Sequence, residues 1–424
     1  MSKSTNQTAF VVVPCDEQKQ EPIYNKENHI HLDGTGLSQK RPCKLWKKAL
    51  IIIMFIFFGS RLLFHRNSLY SNNKTCHGVP VTPLKIYEPH TYYESSCNPS
   101  YKWNGPSELL IDPSEVSGLI FNVKGMASHG SVLIRHDPNA KFITVNNKIY
   151  LSEESLQNEV DIKIDIIDED YIITIETPSF DGPRPTAKCV HVDTIITFPK
   201  QVNFWRSLVI DVPNGWVTIN DLKNIEFAYV GLKTRNGDIM IKDLNSAVSE
   251  IATINGLVHG SIVTAEALDI RTVNGNIDIN VIVNEFAEHV GITTKSINGH
   301  VEFNLNDDQT IDIKAGSVNG GILVIAPDSY VGDFSATTLI GYSYVSGSNT
   351  TFTKNMRNTK IGYKTKSGDD DESDSHRQHQ HRHRHHEKNK KKSHKNRHEE
   401  FDSHLVLEAV TGAVELLFMT DNTY

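Results

Sequence analysis

A chain of 424 residues has length for two or three domains, and its formal net charge of −8 excludes a globally basic nucleic-acid binder. No GxSxG, HExxH, phosphate-binding loop or dinucleotide fingerprint occurs in it, so none of those catalytic routes is expected, and neither is a cofactor.

Residues 1–48 are polar and turn-rich, with no sustained period, and read as a disordered tail. Ala49 to Phe64 (ALIIIMFIFFGSRLLF) is the one strongly apolar run. It is short for a spanning helix, which usually needs about 20 residues, but Arg61 near its end can snorkel to the headgroups. The expected element is an uncleaved signal anchor over 49–64, with a cleaved signal peptide and a buried core helix as alternatives. Arg41, Lys44, Lys47 and Lys48 before the run outnumber Arg61, Arg66 and Lys74 after it, which places the N-terminus in the cytoplasm. Everything downstream is then luminal or outside the cell. Residues 65–104 read as a stem. Cys76 and Cys97 form the expected bridge, which leaves Cys189 over, either buried or paired between chains. Asn73 and Asn349 lie in glycosylation triplets on the same side.

A repetitive β domain is expected over 105–367. Asp161, Asp165, Asp168 and Asp170 alternate with isoleucines, which puts most of these acids on a wet face. Trp103, Trp205 and Trp216 could form a sugar-stacking surface, with burial in the core the commoner outcome. The dominant pattern is a repeat. Asn-Gly recurs at Asn236-Gly237, Asn255-Gly256, Asn274-Gly275, Asn298-Gly299 and Asn319-Gly320, at intervals of 19, 19, 24 and 21 residues. A hydroxyl stands two residues before each Asn (Thr234, Thr253, Thr272, Ser296, Ser317), and a β-branched apolar residue three after it (Ile239, Val258, Ile277, Val301, Ile322). A fixed period near 20 signals a repeat architecture. Apolar residues at offsets three and five have the period of one strand face, and Asn-Gly suits a tight turn with φ > 0. One unit is therefore strand, corner, strand, looser turn. Stacked coils are the expected arrangement, and a β-sandwich of hairpins is the alternative. Asn214-Gly215, with Val212 at the hydroxyl position, and Thr411-Gly412, with Ala409 there, read as atypical end coils that cap the stack.

The pattern breaks at 368–400. An acidic run (Asp369, Asp370, Asp371, Glu372, Asp374) precedes a His-, Lys- and Arg-rich tract without apolar residues to bury, so the segment reads as a disordered insertion. The acidic run lacks the glycine and terminal glutamate of a calcium loop. His381, His383, His385 and His386 could ligate Zn²⁺, Cu²⁺ or Ni²⁺. Alternatively, the tract is an acid-sensitive polycation or a solvated spacer. Residues 401–420 return to strand pattern as the last strands of the β domain.

The runs LKTRNGDIMI, IATINGLVHGSI, IRTVNGNIDI, TKSINGHVEF and AGSVNGGILV resemble the adhesin repeat domain family, uncharacterised β proteins of bacteria and fungi. The resemblance covers about residues 190 to 345 and implies an extracytoplasmic, β-solenoid-like fold with no known catalysis. The expectation is an all-β, β-solenoid-like or repetitive β-sheet domain behind one transmembrane helix and a disordered tail. Its partners are then the membrane, crossed once, and cell-surface or wall glycans or another protein, with no nucleic acid. A membrane-anchored carbohydrate-active enzyme on the same scaffold, and a metal-binding protein using the His-rich loop, are the alternatives.

Overall fold

The structure is a computed structural model that describes residues 99–125, 128–179, 188–306, 310–366 and 402–419. All lie in one compact unit, His90–Tyr424. The anchor run 49–64 lies outside the described residues. Among those described, no helix is long and apolar enough to cross a membrane, and the one helical element is a short 3₁₀ turn, Glu154–Asn158.

The repeat folds as parallel stacked coils, not as a row of hairpins. Each coil contributes one strand before its corner and one after it, so two parallel ladders run the length of the stack. In the first, Val290–Ser296 pairs with Ile311–Asn319 in parallel register, Ser296 opposite Ser317. In the second, Ile277–Val283 pairs with Val301–Leu305, Ile277 opposite Val301. Burial alternates along each strand: Ile277, Ile279, Val281 and Val283 are buried, as are Val290, Ile292, Thr294 and Ser296, and the residues between them are half-buried or exposed. The period of 2 thus delivers one apolar face per strand to a single core cluster shared by both ladders. Ile239, Val258, Ile277, Val301 and Ile322, the offset-three column, all belong to it.

The corner glycines have a different cause from the one their sequence suggests. Gly237, Gly256, Gly275, Gly299 and Gly320 do not adopt positive φ. They are glycines because successive coils touch there. A Cβ on Gly275 would stand 1.7 Å from the Gly256 carbonyl oxygen, and one on Gly299 would stand 1.9 Å from that of Gly275. The hydroxyl column closes the same contact. Thr253 Oγ1 donates to the Gly237 carbonyl at 3.1 Å, Ser296 Oγ to Gly275 at 3.0 Å and Ser317 Oγ to Gly299 at 3.0 Å.

The order of coils in space departs from their order in sequence at both ends. His404–Thr411 lies between Ile311–Asn319 and Gly332–Ile340. Val414–Met419 lies between Ile322–Pro327 and Ser343–Ser346. The Thr411-Gly412 coil, expected at an end, is therefore internal, inserted after the chain has already built the coil beyond it. The other end mirrors this. Asp170–Glu176 pairs outside Gly118–Lys124, whose other neighbour is Phe204–Asn214.

Antiparallel strands finish each end of the first ladder. Asp161–Ile167 lies on Asp170–Glu176 at one end. At the other, Thr359–Lys364 lies on Gly332–Ile340 and Thr350–Met356 on Thr359–Lys364. Lys364 is buried in the latter cap, its Nζ 3.1 Å from Asp328 Oδ1 and 5.5 Å above the Phe418 ring.

Gly275→Ala should therefore lower the unfolding free energy by about 3 kcal/mol, as overpacking does. Gly321→Ala, whose Cβ meets nothing nearer than His300 Nδ1 at 3.1 Å, should cost under about 1 kcal/mol. Urea midpoints of the two variants check this, and equal losses would refute the contact explanation.

Candidate functional site

The Asn-Gly corners line up into a ridge along the stack. Each corner asparagine donates through Nδ2 to Oδ1 of the asparagine one coil back. Asn236 donates to Asn214 at 2.6 Å, and Asn255 to Asn236, Asn274 to Asn255 and Asn298 to Asn274 at 2.7 Å each. Asn319 donates to Asn298 at 2.8 Å, and Thr411 Oγ1 ends the series 3.2 Å from Asn319 Oδ1. Such amide ladders arise when equivalent residues repeat at the ~4.8 Å strand spacing. From Asn255 upward, the residue before each corner position adds an apolar row beside the ridge, with Ile254, Ile297, Val410 and Leu339 exposed and Val273 and Val318 half-buried; Arg235 holds that place before Asn236.

On the other side of the ridge, the second residue after each Asn faces outward. Going up the stack this column reads Trp216, Asp238, Leu257, Asn276, His300, Gly321, Ala413 and Tyr342. Two small residues between two rings leave an open depression of about 550 Å³. Gly320, Gly321, Gly412 and Ala413 line its floor, with His300, Glu302 and Glu415 around them. The His300 ring accepts from Gly321 N at its Nδ1 at 3.0 Å, and the His300 backbone N–H donates to Asn276 Oδ1 at 2.9 Å. At the far rim Tyr342 donates its hydroxyl to Glu415 Oε1 at 2.7 Å.

The neighbouring column carries charge: His259, Asp278 and Glu302 stand on successive coils. His259 Nδ1 lies 2.8 Å from Asp278 Oδ2, and that hydrogen bond holds the imidazole above its ordinary value against partial burial. Partial burial, then Asp278, raise the Glu302 carboxyl. Among the described residues the lining is acidic, with no lysine or arginine. It can accept hydrogen bonds from hydroxyls or a cation, and it repels anions.

The other expected residues fall elsewhere. His381, His383, His385 and His386, Asn73, and Cys76 with Cys97 lie outside the described residues. Among those described, no group of His, Cys, Asp and Glu could hold a metal ion. Asn349 is exposed in a turn at φ 52°. Cys189 is not left over: it is buried and disulfide-bonded. Trp205 is in the core, edge-on to Phe198 at 5.7 Å, and Trp103 packs against the core, so the three tryptophans form no common sugar-stacking face. Sequence reasoning missed the depression, although Gly321 and Ala413, the small residues of the outward column, marked it.

No family model matches the sequence, and neither does any curated protein. The solved structures that are similar include two at low identity. One is a candidate cell adhesion protein from Clostridium sporogenes, 12% identical, with a TM-score of 0.19 over 74% of this chain and 98% of that one. The other is a candidate adhesin from Bacteroides fragilis, 11% identical, with a TM-score of 0.34 over the same shares.

The His259 pair makes stability depend on pH. Its folded pKa is raised above the ordinary 6.5, so the folded chain binds the proton more tightly than the unfolded one. That stabilisation is fully present below about pH 6.5 and is lost as pH rises through the folded value. The fall in melting temperature between pH 5.5 and pH 8 should accordingly be smaller in His259→Gln than in the parent chain.

Proposed function

We propose that this chain is an anchored, non-catalytic binding protein: a single-pass type II membrane protein whose β stack presents a saccharide seat outside the cytoplasm. The observation that carries the binding role is the depression edged by His300, Glu302 and Glu415 and floored by Gly321 and Ala413. A wide opening edged by an imidazole ring and two carboxylates suits the hydroxyls of a neutral or amino-bearing sugar. The absence of lining cations disfavours sulfated or phosphorylated ones. The stack supports this role by rigidity, because every seat residue sits on a strand or corner tied to coils on both sides. The Cys189 disulfide supports an oxidising compartment, and the basic flank before Ala49 supports the orientation.

Filling the seat tests the role. Ala413→Trp projects into the depression from an outward position and should abolish retention of the full chain on immobilised neutral or amino sugars, with an unchanged melting temperature. Undiminished retention would move the site elsewhere. Glycosidase treatment tests the orientation: it should increase the mobility of the intact protein, and Asn73→Gln with Asn349→Gln should remove that shift.

A second reading is favoured by Glu302 and Glu415. They stand two strand spacings apart across the depression, about 10 Å along the ladder, and the Glu302 carboxyl is raised. Inverting glycosidases place an acid and a base about 6.5–9.5 Å apart. Release of reducing ends from a retained saccharide, lost in Glu302→Gln, would establish hydrolysis. Recovery of the saccharide intact would leave binding alone.

A further inference from the structure

We propose that copies of this chain join head to tail, the acidic edge strand Asp161–Ile167 of one pairing antiparallel with the basic edge strand Thr350–Met356 of the next. The two strands are the opposite ends of the same ladder. Among the described residues each is paired on one side only. Each is seven residues long.

Their directions also match. Asp161–Ile167 runs against the stack, being antiparallel to Asp170–Glu176. Thr350–Met356 runs with it, after two successive antiparallel pairings. Translating one copy along the stack axis therefore brings the two strands together as an antiparallel pair, the pairing that short, directly apposed strands make readily. Added-strand pairing of this kind is a recurrent mode of association.

Charge selects the match. Residues 153–176 contain nine carboxylates and one lysine, while residues 350–366 contain five cations and no carboxylate. Local pairing neutralises only part of this. Lys163, Lys188 and Arg206 take Glu176, Glu153 and Asp170, and Lys364 takes Asp328. Asp161 and Asp165 at one end and Lys354 and Arg357 at the other remain exposed and make no ion pair among the described residues. Lysines and bulges on an edge normally discourage pairing, and Thr350–Met356 has both, with a register shift between Phe352 and Lys354. Here they make an oppositely charged strand the condition for pairing, so like ends repel.

Apolar surface supplies the driving term. Ile162, Ile164 and Ile166 continue the columns of Ile175, Ile173 and Tyr171. Because nothing described lies beyond them, Ile164 is 42% exposed, Ile166 61% and Ile167 56%; Met356 at the other end is 52% exposed. A second copy would extend the sheet over these side chains. The contact is heterologous, since each copy uses two different ends, so assembly is open and yields rods longer than a dimer.

Sedimentation velocity of the full chain in mild detergent tests this across protein and salt concentration. The expected result is a mean mass that climbs past two chains with concentration and falls with salt. Asp161→Lys with Asp165→Lys should hold the chain as a monomer, and so should Lys354→Glu with Arg357→Glu. Mixing the two variants should restore assembly, because each supplies the charge the other lacks, and so should all four substitutions in one chain. Unchanged melting temperatures would show that these exposed changes leave the fold intact. Several outcomes would overturn the proposal. One is a parent chain monomeric throughout, as it would be if its own acidic run at Asp369 to Asp374 covered the basic end. Another is a mass that saturates at two chains. A third is assembly by either reversed variant alone.

Discussion

The structure depends on how closely successive coils approach at their corners. Glycine follows glycine up the ridge because each one's Cβ would fall within about 2 Å of the carbonyl oxygen below, as at Gly237, Gly256 and Gly299. That approach sets the height of every coil, and the rest follows from it. Thr234, Thr253 and Thr272 reach the glycine carbonyls of the coil below, the asparagine amides meet in a ladder, and the apolar offsets register into columns. A side chain at one corner would disturb two coils at once, which is why the motif is strict at Gly and looser at its hydroxyl. Val212 and Ala409 replace the hydroxyl without breaking the stack.

A stack of parallel strands has two ends, and an open edge invites uncontrolled pairing. Here each end is finished by strands taken out of sequence order and then by antiparallel ones. The last described strands wedge into the stack between coils built earlier. The buried Lys364, paired with Asp328 and set over Phe418, ties the last antiparallel strand to the wedged one. The chemistry of the molecule therefore concentrates where the repeat is imperfect. Gly321 and Ala413 open a depression in a column otherwise filled by larger side chains, and the two caps carry opposite charge.

Much of this was legible in the chain. The period near 20, the alternating apolar offsets and the hydroxyl column identified strands, corners and core face correctly, down to Ile277 and Val301 lying opposite each other in the interior. These features are local: they depend on a residue and its near neighbours, and period 2 survives any arrangement of the coils. The reason for the glycines was not legible. Asn-Gly reads as a positive-φ turn in isolation, whereas here the constraint comes from a backbone about 20 residues away. The alternation in Asp161–Ile167 puts its acids on a wet face, yet Ile164, Ile166 and Ile167 are exposed as well, because no described strand lies beyond them.

The sequence by itself determined that this is a repetitive β protein with an acidic segment near one end of the repeat and a basic one near the other. It also determined which side chains face inward, since strand geometry converts spacing directly into facing. Only the tertiary structure decided the order of coils, the internal place of Thr411-Gly412, the bonded state of Cys189 and the meeting of His300, Gly321, Ala413 and Glu415 around one depression. Those are relations between strands up to about a hundred residues apart. Many orders of stacking satisfy the same local pattern, and packing of the ends selects among them.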